Sequence, residues 1–556
     1  MAIFHIIRVN LVYTDNPLYL CREKIFAMKR MKYIWLWLLL AVVPGACSKD
    51  GGSDLSGGEE ERDTEVYHEM IVLGNKLDDP YTVDNMTKAL ASVYPTKAGR
   101  TDIRPSDIYV RFLPADEDQY KRLQELGVEM LDHPMDYEIL REGDYYHDPS
   151  VDEDKITWQY AVVSPSFQFP EGIPYEVLDE CYIPNEAVTR ADDGIDWAAV
   201  ERESFRLTGN ENLYVPETKG EATRPEGRIM IVDDKYAEGK PFGVAGVMVS
   251  CNVFVKFASC YTDRDGYYEM PKYFSWRPRY RLVFKNKIGF GIGLNLILIP
   301  ASFSTLGKGS PHGIDEIIHK DSDRKLFARC VTNNAAWDYF QRCSEEDLNL
   351  PTPPSDVRFW IFYKKDLSSA VMLKHGTVLG KGLFAKFLGE FRSIIQVFLP
   401  DITLGVSNAD DYATIYNLVV HELAHASHFM SVGVDYWDRY IEYILTSFVS
   451  SGGVVYGTGT ETDSGYCEIG EMWAYYLEQK LYSDRYGGNP PSFGQEWWFF
   501  PQIFRYLDER GMTPSEIIKA LDGEVASREA LKAKLVSLYP GRKAIIDEVF
   551  ARYTNE

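Results

Sequence analysis

Three things are missing from this chain, and each absence removes a class of function. Its eight cysteines form no C-x-x-C pair, which excludes a thiolate zinc site and thioredoxin-like exchange. Basic charge is not in excess. A formal net charge of -24 excludes nucleic acid as a partner and docking on anionic lipid through basic patches. Nor is there an apolar run of the roughly 20 residues that a spanning helix needs; near the N-terminus the run from Tyr33 to Val43 stops well short of it. Histidine is scarce too, with 10 in 556 residues. Chance should place two of them around a glutamate as H-E-x-x-H only about once in a hundred such chains, and His421, Glu422 and His425 form that pattern.

What is present is aromatic. Phe, Trp and Tyr make up 14% of the chain, with 37 Tyr and 11 Trp; packing accounts for them first, and a carbohydrate or peptide groove is the alternative. The length exceeds a single core and predicts roughly three or four domains. Residues 28–47 read MKRMKYIWLWLLLAVVPGAC: a basic stretch (Lys29, Arg30, Lys32), the short apolar run, then small residues before Cys47, the layout of a signal peptide. Small residues followed at once by Cys resemble a bacterial lipobox, which implies lipid on Cys47 and anchoring in the cell envelope, at the outer membrane or cell surface. Pro44 departs from that pattern, standing where an aliphatic residue is usual. Ser48, Lys49 and Asp50 resemble the surface-export signals of Bacteroidetes lipoproteins. Residues 1–27 precede a second candidate start, Met28, and are read as an upstream extension. Residues 48–64 have no means of burying apolar area and form a flexible acidic tether. With Cys21 upstream and Cys47 lipidated, six cysteines remain. Outside the cytoplasm disulfides are permitted, and close spacing favours Cys251 with Cys260 and Cys330 with Cys343.

Along the chain, the expected fold is multidomain α+β. A small α+β domain covers 65–180: Asp107–Leu113 alternates as a strand, Asp116–Leu126 is a helix opened by an acidic cap, Gly127 ends it, and Val128–Leu131 returns as a strand. His133 and His147 are expected there as loop residues, not ligands. Residues 181–225, rich in mixed charge and turn formers, read as a linker. Short β-branched and aromatic runs at 226–286 predict a β-sandwich. The turn Thr262, Asp263, Gly266, Tyr268 resembles the T-D-x-x-G-x-[YF] hairpin of carboxypeptidase-regulatory-like, transthyretin-type sandwiches, which support or bind and do not catalyse. From 287 to 556 the pattern predicts a helix over Gly313–Gln341, strands at Val357–Tyr363, Ile394–Leu399 and Ile402–Val406, and mainly helical structure after Met430.

An α-helix turns about 100° per residue, so His421 and His425 share a face and can grip one zinc ion, with Glu422 placed to take a proton from the attacking water. A charged Glu between two His on an otherwise apolar helix is costly to bury unless a cation compensates. The pattern resembles the zincin metallopeptidases. Their metzincin branch has a third His six residues after the second; that place is Ser431, so the branch is excluded. The gluzincin branch takes a Glu from a following helix. Here Glu471 is followed three residues on by Ala474, as in that pattern, while Glu468, Asp463 and His428 are competing ligands. Tyr475 stands where the thermolysin type has Asp, so the supporting carboxylate has to come from elsewhere. The resemblance implies Zn as cofactor, a zincin-like catalytic domain, a peptide or protein substrate, Glu422 as general base, and an oxyanion donor for which Tyr466 and Tyr475 are the candidates. A second reading, from another class, is a catalytically inactive zincin-like surface lipoprotein that binds peptide or glycan; the intact His421, Glu422 and His425 speak against it.

Overall fold

The computed structural model describes residues 69–96, 101–152, 155–184, 194–213, 223–293, 300–364, 368–377, 399–451, 456–493 and 497–553. The signal region, Cys47, the acidic tether and all of the expected strand Ile394–Leu399 except its last residue lie outside the described residues.

In the N-terminal unit, β1 (Val72–Lys76) pairs with β3 (Tyr137–Arg141), and β2 (Asp107–Phe112) lies between β4 (Gln159–Val163) and β5 (Tyr175–Cys181). The first helix, α1, covers Val83–Val93. The next, α2 (Glu117–Glu125), starts because the Asp116 carboxylate accepts from the Gln119 amide at 2.9 Å and ends at Gly127, φ 77. Val128–Leu131 is not a strand; it contributes one bridge, from Leu131 to Tyr160, and Pro134 soon after cannot extend a ladder. The expected linker contains a helix, α3 (Trp197–Leu207), capped by Asp196 and burying Val200 and Phe205. It packs on α1 to close this unit. The turn residues around it masked the spacing of its apolar side chains.

Two sheets follow. One holds β6 (Glu226–Ile231), β7 (Phe242–Gly243), β10 (Tyr267–Glu269) and β14 (Glu316–Ile318). The other holds β8 (Val247–Val253), β9 (Lys256–Tyr261), β11 (Arg279–Asn286), β12 (Gly291–Gly293), β13 (Phe303–Lys308), β15 (Arg358–Phe362) and β16 (Ile402–Gly405). Ile229, Ile231, Val249, Tyr268, Tyr280 and Leu282 from both sheets join one core. The turn before β10 closes because Asp263 Oδ1 accepts from the Asp265 and Tyr267 amides at 2.8 and 2.9 Å, and a Cβ on Gly266 would lie 2.1 Å from the Ile229 carbonyl oxygen. The strands do not stop at residue 286. Because β11 pairs with β12 and β13, and β6 with β14, residues 226–286 are completed by later strands and share sheets with the region expected to be separate. Pairing along β12, β15 and β16 is parallel, and the outer side of β16 meets Ser369 at Thr403.

The helix expected over Gly313–Gln341 begins later, as α4 (Arg324–Cys343): Ile317 and Ile318 belong to β14, and Asp323 caps the helix by accepting from the Lys325 and Leu326 amides. Both expected disulfides fail on geometry. Cys330 and Cys343 sit on α4 about 20 Å apart along its axis, against about 7 Å for bridged Cα atoms. Cys251 faces Ala258 and Cys260 faces Val249 across β8 and β9, two positions out of register. All six described cysteines are free. Next come α5 (Tyr412–Val432), α6 (Val434–Ser451) and α7 (Ser464–Tyr486), then α8 (Gln502–Glu509), α9 (Pro514–Ile518), α10 (Arg528–Leu538) and α11 (Lys543–Ala551). From Tyr412 to Phe429 every side chain of α5 but Thr414 is buried, so α5 is the central rod of the helical region. Tyr339 and Ser427 hydroxyls meet at 2.8 Å, and the Tyr416 hydroxyl donates to Asp338 at 2.6 Å, fixing α4 against it. No helix among the described residues is long and apolar enough to cross a membrane.

Candidate metal centre

Helix α5 starts where the Asp411 carboxylate accepts from the Thr414 amide at 2.7 Å and ends at Gly433, φ 79. It delivers His421 and His425 from one face. On α7, Glu471, Tyr475 and Glu478 fall at i, i+4 and i+7, which also makes one face. Ala474 lies fully buried beside that stripe, and the Trp473 indole donates to the Ala424 carbonyl at 3.1 Å, so the two helices approach closely.

This approach brings His421, His425 and Glu471 together: one ligand atom from each lies within 4.8 Å of the others, and all three residues are buried. The Glu471 carboxylate is 3.6 Å from His421 Nε2 through Oε2 and 3.5 Å from His425 Nε2 through Oε1. Those are too long for hydrogen bonds. His421 Nε2, His425 Nε2 and Glu471 Oε2 are buried without a hydrogen-bond partner among the described residues. Three buried polar atoms left unsatisfied around one point are costly, and two imidazole nitrogens with a carboxylate oxygen are a donor set that suits zinc. Glu422 lies between the two His on α5, fully buried.

The surroundings fix His421. Its Nδ1 donates to Glu478 Oε2 at 2.7 Å, and Glu478 Oε1 accepts from Asn417 and Ser492. Burial opposes a charge on Glu478, but the His421, Ser492 and Asn417 bonds outweigh it and hold its pKa below the usual value. Burial likewise opposes a proton on His421, yet the flanking Glu471 and Glu478 carboxylates raise its pKa to about 10. Burial, with His421 and His428 nearby, drives His425 well below its ordinary range. For Glu471 burial wins and raises the pKa. A cation among these side chains reverses the preference at His421, since imidazole ligates only with its nitrogen deprotonated.

Of the residues expected from sequence, His421, His425 and Glu471 converge, and Glu422 lies buried between the two His on α5. Tyr475 joins them, its ring edge-on to His421 at 4.6 Å and its hydroxyl 3.4 Å from that of Tyr456. Tyr466 does not: five residues before Glu471 it points about 140° around α7, packs edge-on against Tyr436 at 4.6 Å and lies under Arg439. Glu468 is taken by Arg528 at 2.8 Å. Asp463 lies beyond the start of α7, 4.0 Å from Arg439. His428 shares the face of His421 and His425 but sits between Tyr436 and Trp437, and burial alone pushes its pKa down to about 3. His133, expected in a loop, is buried there between Asp132 and Arg281. Glu478 and Asn417 were missed, although seven residues from Glu471 and four from His421 were readable spacings. Ser492 and Tyr440 carry no such signal. No protein-family model and no curated protein matches the chain, so what the centre can do follows from its residues and their geometry.

Proposed function

We propose that the chain is a zinc peptidase of gluzincin type, held in the cell envelope by lipid on Cys47, that hydrolyses peptide bonds in peptides or proteins. The convergence of three buried, unsatisfied ligand atoms beside the Glu422 carboxylate supports this reading. His421, His425 and Glu471 would hold the zinc, which when bound would supply Lewis acidity to the scissile carbonyl and the attacking water. Glu422 accepts the proton of that water and passes it to the leaving nitrogen. Glu478 keeps the proton of His421 on Nδ1, which leaves Nε2 as the ligating atom. Tyr475, packed against His421, is the candidate donor to the developing oxyanion.

The test is metal analysis and peptide hydrolysis on the full chain and on Glu422→Ala. Both should hold about one zinc per chain, with hydrolysis reduced by about 10²–10⁴-fold or more in the variant. Hydrolysis that survives the substitution would end the mechanism. Zinc bound by an unsubstituted chain that hydrolyses nothing would point to a binding role instead.

A further inference from the structure

We infer that Tyr440 orients Glu471 for the metal, its hydroxyl holding one carboxylate oxygen so that the other remains as the ligand. This rests on the zinc reading above. Tyr440 comes from α6, a helix that supplies no ligand, and its side chain is almost fully buried. Its hydroxyl donates to Glu471 Oε1 at 2.6 Å, within the range of a strong charge-assisted O–H···O⁻ bond. Glu471 Oε2 has no hydrogen-bond partner among the described residues and faces His421 Nε2.

The tyrosine is itself held from several sides. Its ring lies 5.7 Å from that of His425 and 4.8 Å from Trp437. On α7 it passes over Gly470, where a Cβ would stand 3.4 Å from the Tyr440 ring and 4.0 Å from His425 Cε1; a side chain longer than alanine there would meet the ring. Glycine at 470 therefore lets the hydroxyl reach the carboxylate one residue further along. A carboxylate buried between two imidazoles can turn either oxygen toward either ring, and the Tyr440 bond removes that freedom. Tyr440 is thus a positioning residue: it acts through Glu471 and complements Glu478, which orients His421 from the opposite end of the same α7 face.

Tyr440→Phe deletes the hydroxyl and keeps the ring. Zinc affinity is read by chelator competition, and ligand geometry by the visible absorption of the cobalt-loaded protein, at a temperature where circular dichroism shows every chain folded. The expected result is zinc binding weakened by about 10–100-fold, the size of effect seen when a group supporting a metal ligand is lost, with an altered cobalt spectrum. Wild-type affinity and an unchanged spectrum in Tyr440→Phe, while Glu471→Ala has lost zinc, would overturn the role of Tyr440 and leave the zinc reading standing. Failure of the unsubstituted chain to bind zinc would overturn both.

Discussion

Glu478 gathers three donors, from His421, Asn417 and Ser492, while sitting almost fully buried. Removing its carboxylate leaves His421 Nδ1 and the Asn417 amide without an acceptor in the same buried space, so the ring loses both its orientation and its preferred tautomer. Glu478→Ala should weaken zinc binding by about 10–100-fold, measured by chelator competition; affinity within twofold of the unsubstituted chain would show that the carboxylate is not what orients His421. The sequence drew attention to Tyr475, at the place where the thermolysin type has its Asp, and the supporting carboxylate turned up one helical turn later. Tyr466, the other candidate oxyanion donor, is turned away from the centre by the pitch of α7.

Between elements, the contacts are close enough that small residues decide them. Ala474 is fully buried in the face that α7 turns toward α5, and Ala474→Leu forces extra volume into it. A loss of about 1–3 kcal/mol is expected, seen as a lower midpoint in urea unfolding together with weaker zinc binding; unchanged stability would mean the helices have room to spare. The starts of β15 and β16 are tied differently. His375 donates from Nδ1 to Asp401 at 2.8 Å, and its Nε2 lies 3.3 Å from Asp356. Burial opposes the charge on His375, but these two carboxylates outweigh it, against Lys374 nearby, and raise its pKa to about 9. A folded-state pKa raised above the ordinary 6.5 stabilises the fold fully at pH below about 6.5. That contribution fades as pH rises through about 9. The stability lost in His375→Ala should therefore be largest near pH 6 and shrink toward pH 10, as followed by melting temperature; a loss that grows with pH would contradict the pairing.

For the whole molecule, the N-terminal unit is bound to the rest through buried charge. Arg329 of α4 donates to Asp144 at 2.8 Å with both side chains buried, Arg358 of β15 donates to Glu117 at 2.7 Å, and Arg281 of β11 donates to His133 at 3.0 Å. Breaking one partner of such a pair leaves a buried charge uncompensated, so Asp144→Ala should cost about 3–5 kcal/mol, read by urea unfolding. A loss under about 1 kcal/mol would show that water reaches Arg329 and that the unit is only loosely attached. Since α4 is fixed to α5 through Tyr339 and Tyr416, this docking extends by contact to the helix that carries His421.

By itself the sequence determined the periodic and local features: the H-E-x-x-H face, the capped helix at 117–125, the buried strand at 358–362, the turn at Asp263 and Gly266, and Glu471 as a candidate ligand on a following helix. Each depends on spacing within a few residues. Tertiary structure alone decided what depends on distant parts of the chain meeting. It completed the strands of 226–286 with later ones, placed Glu478 on His421 and Tyr440 on Glu471, kept the cysteines apart, and turned an apparent linker into a packed helix. Hydrogen bonds and ion pairs between residues tens or hundreds of positions apart leave no period in a sequence, because the geometry that joins them exists only once the helices have packed.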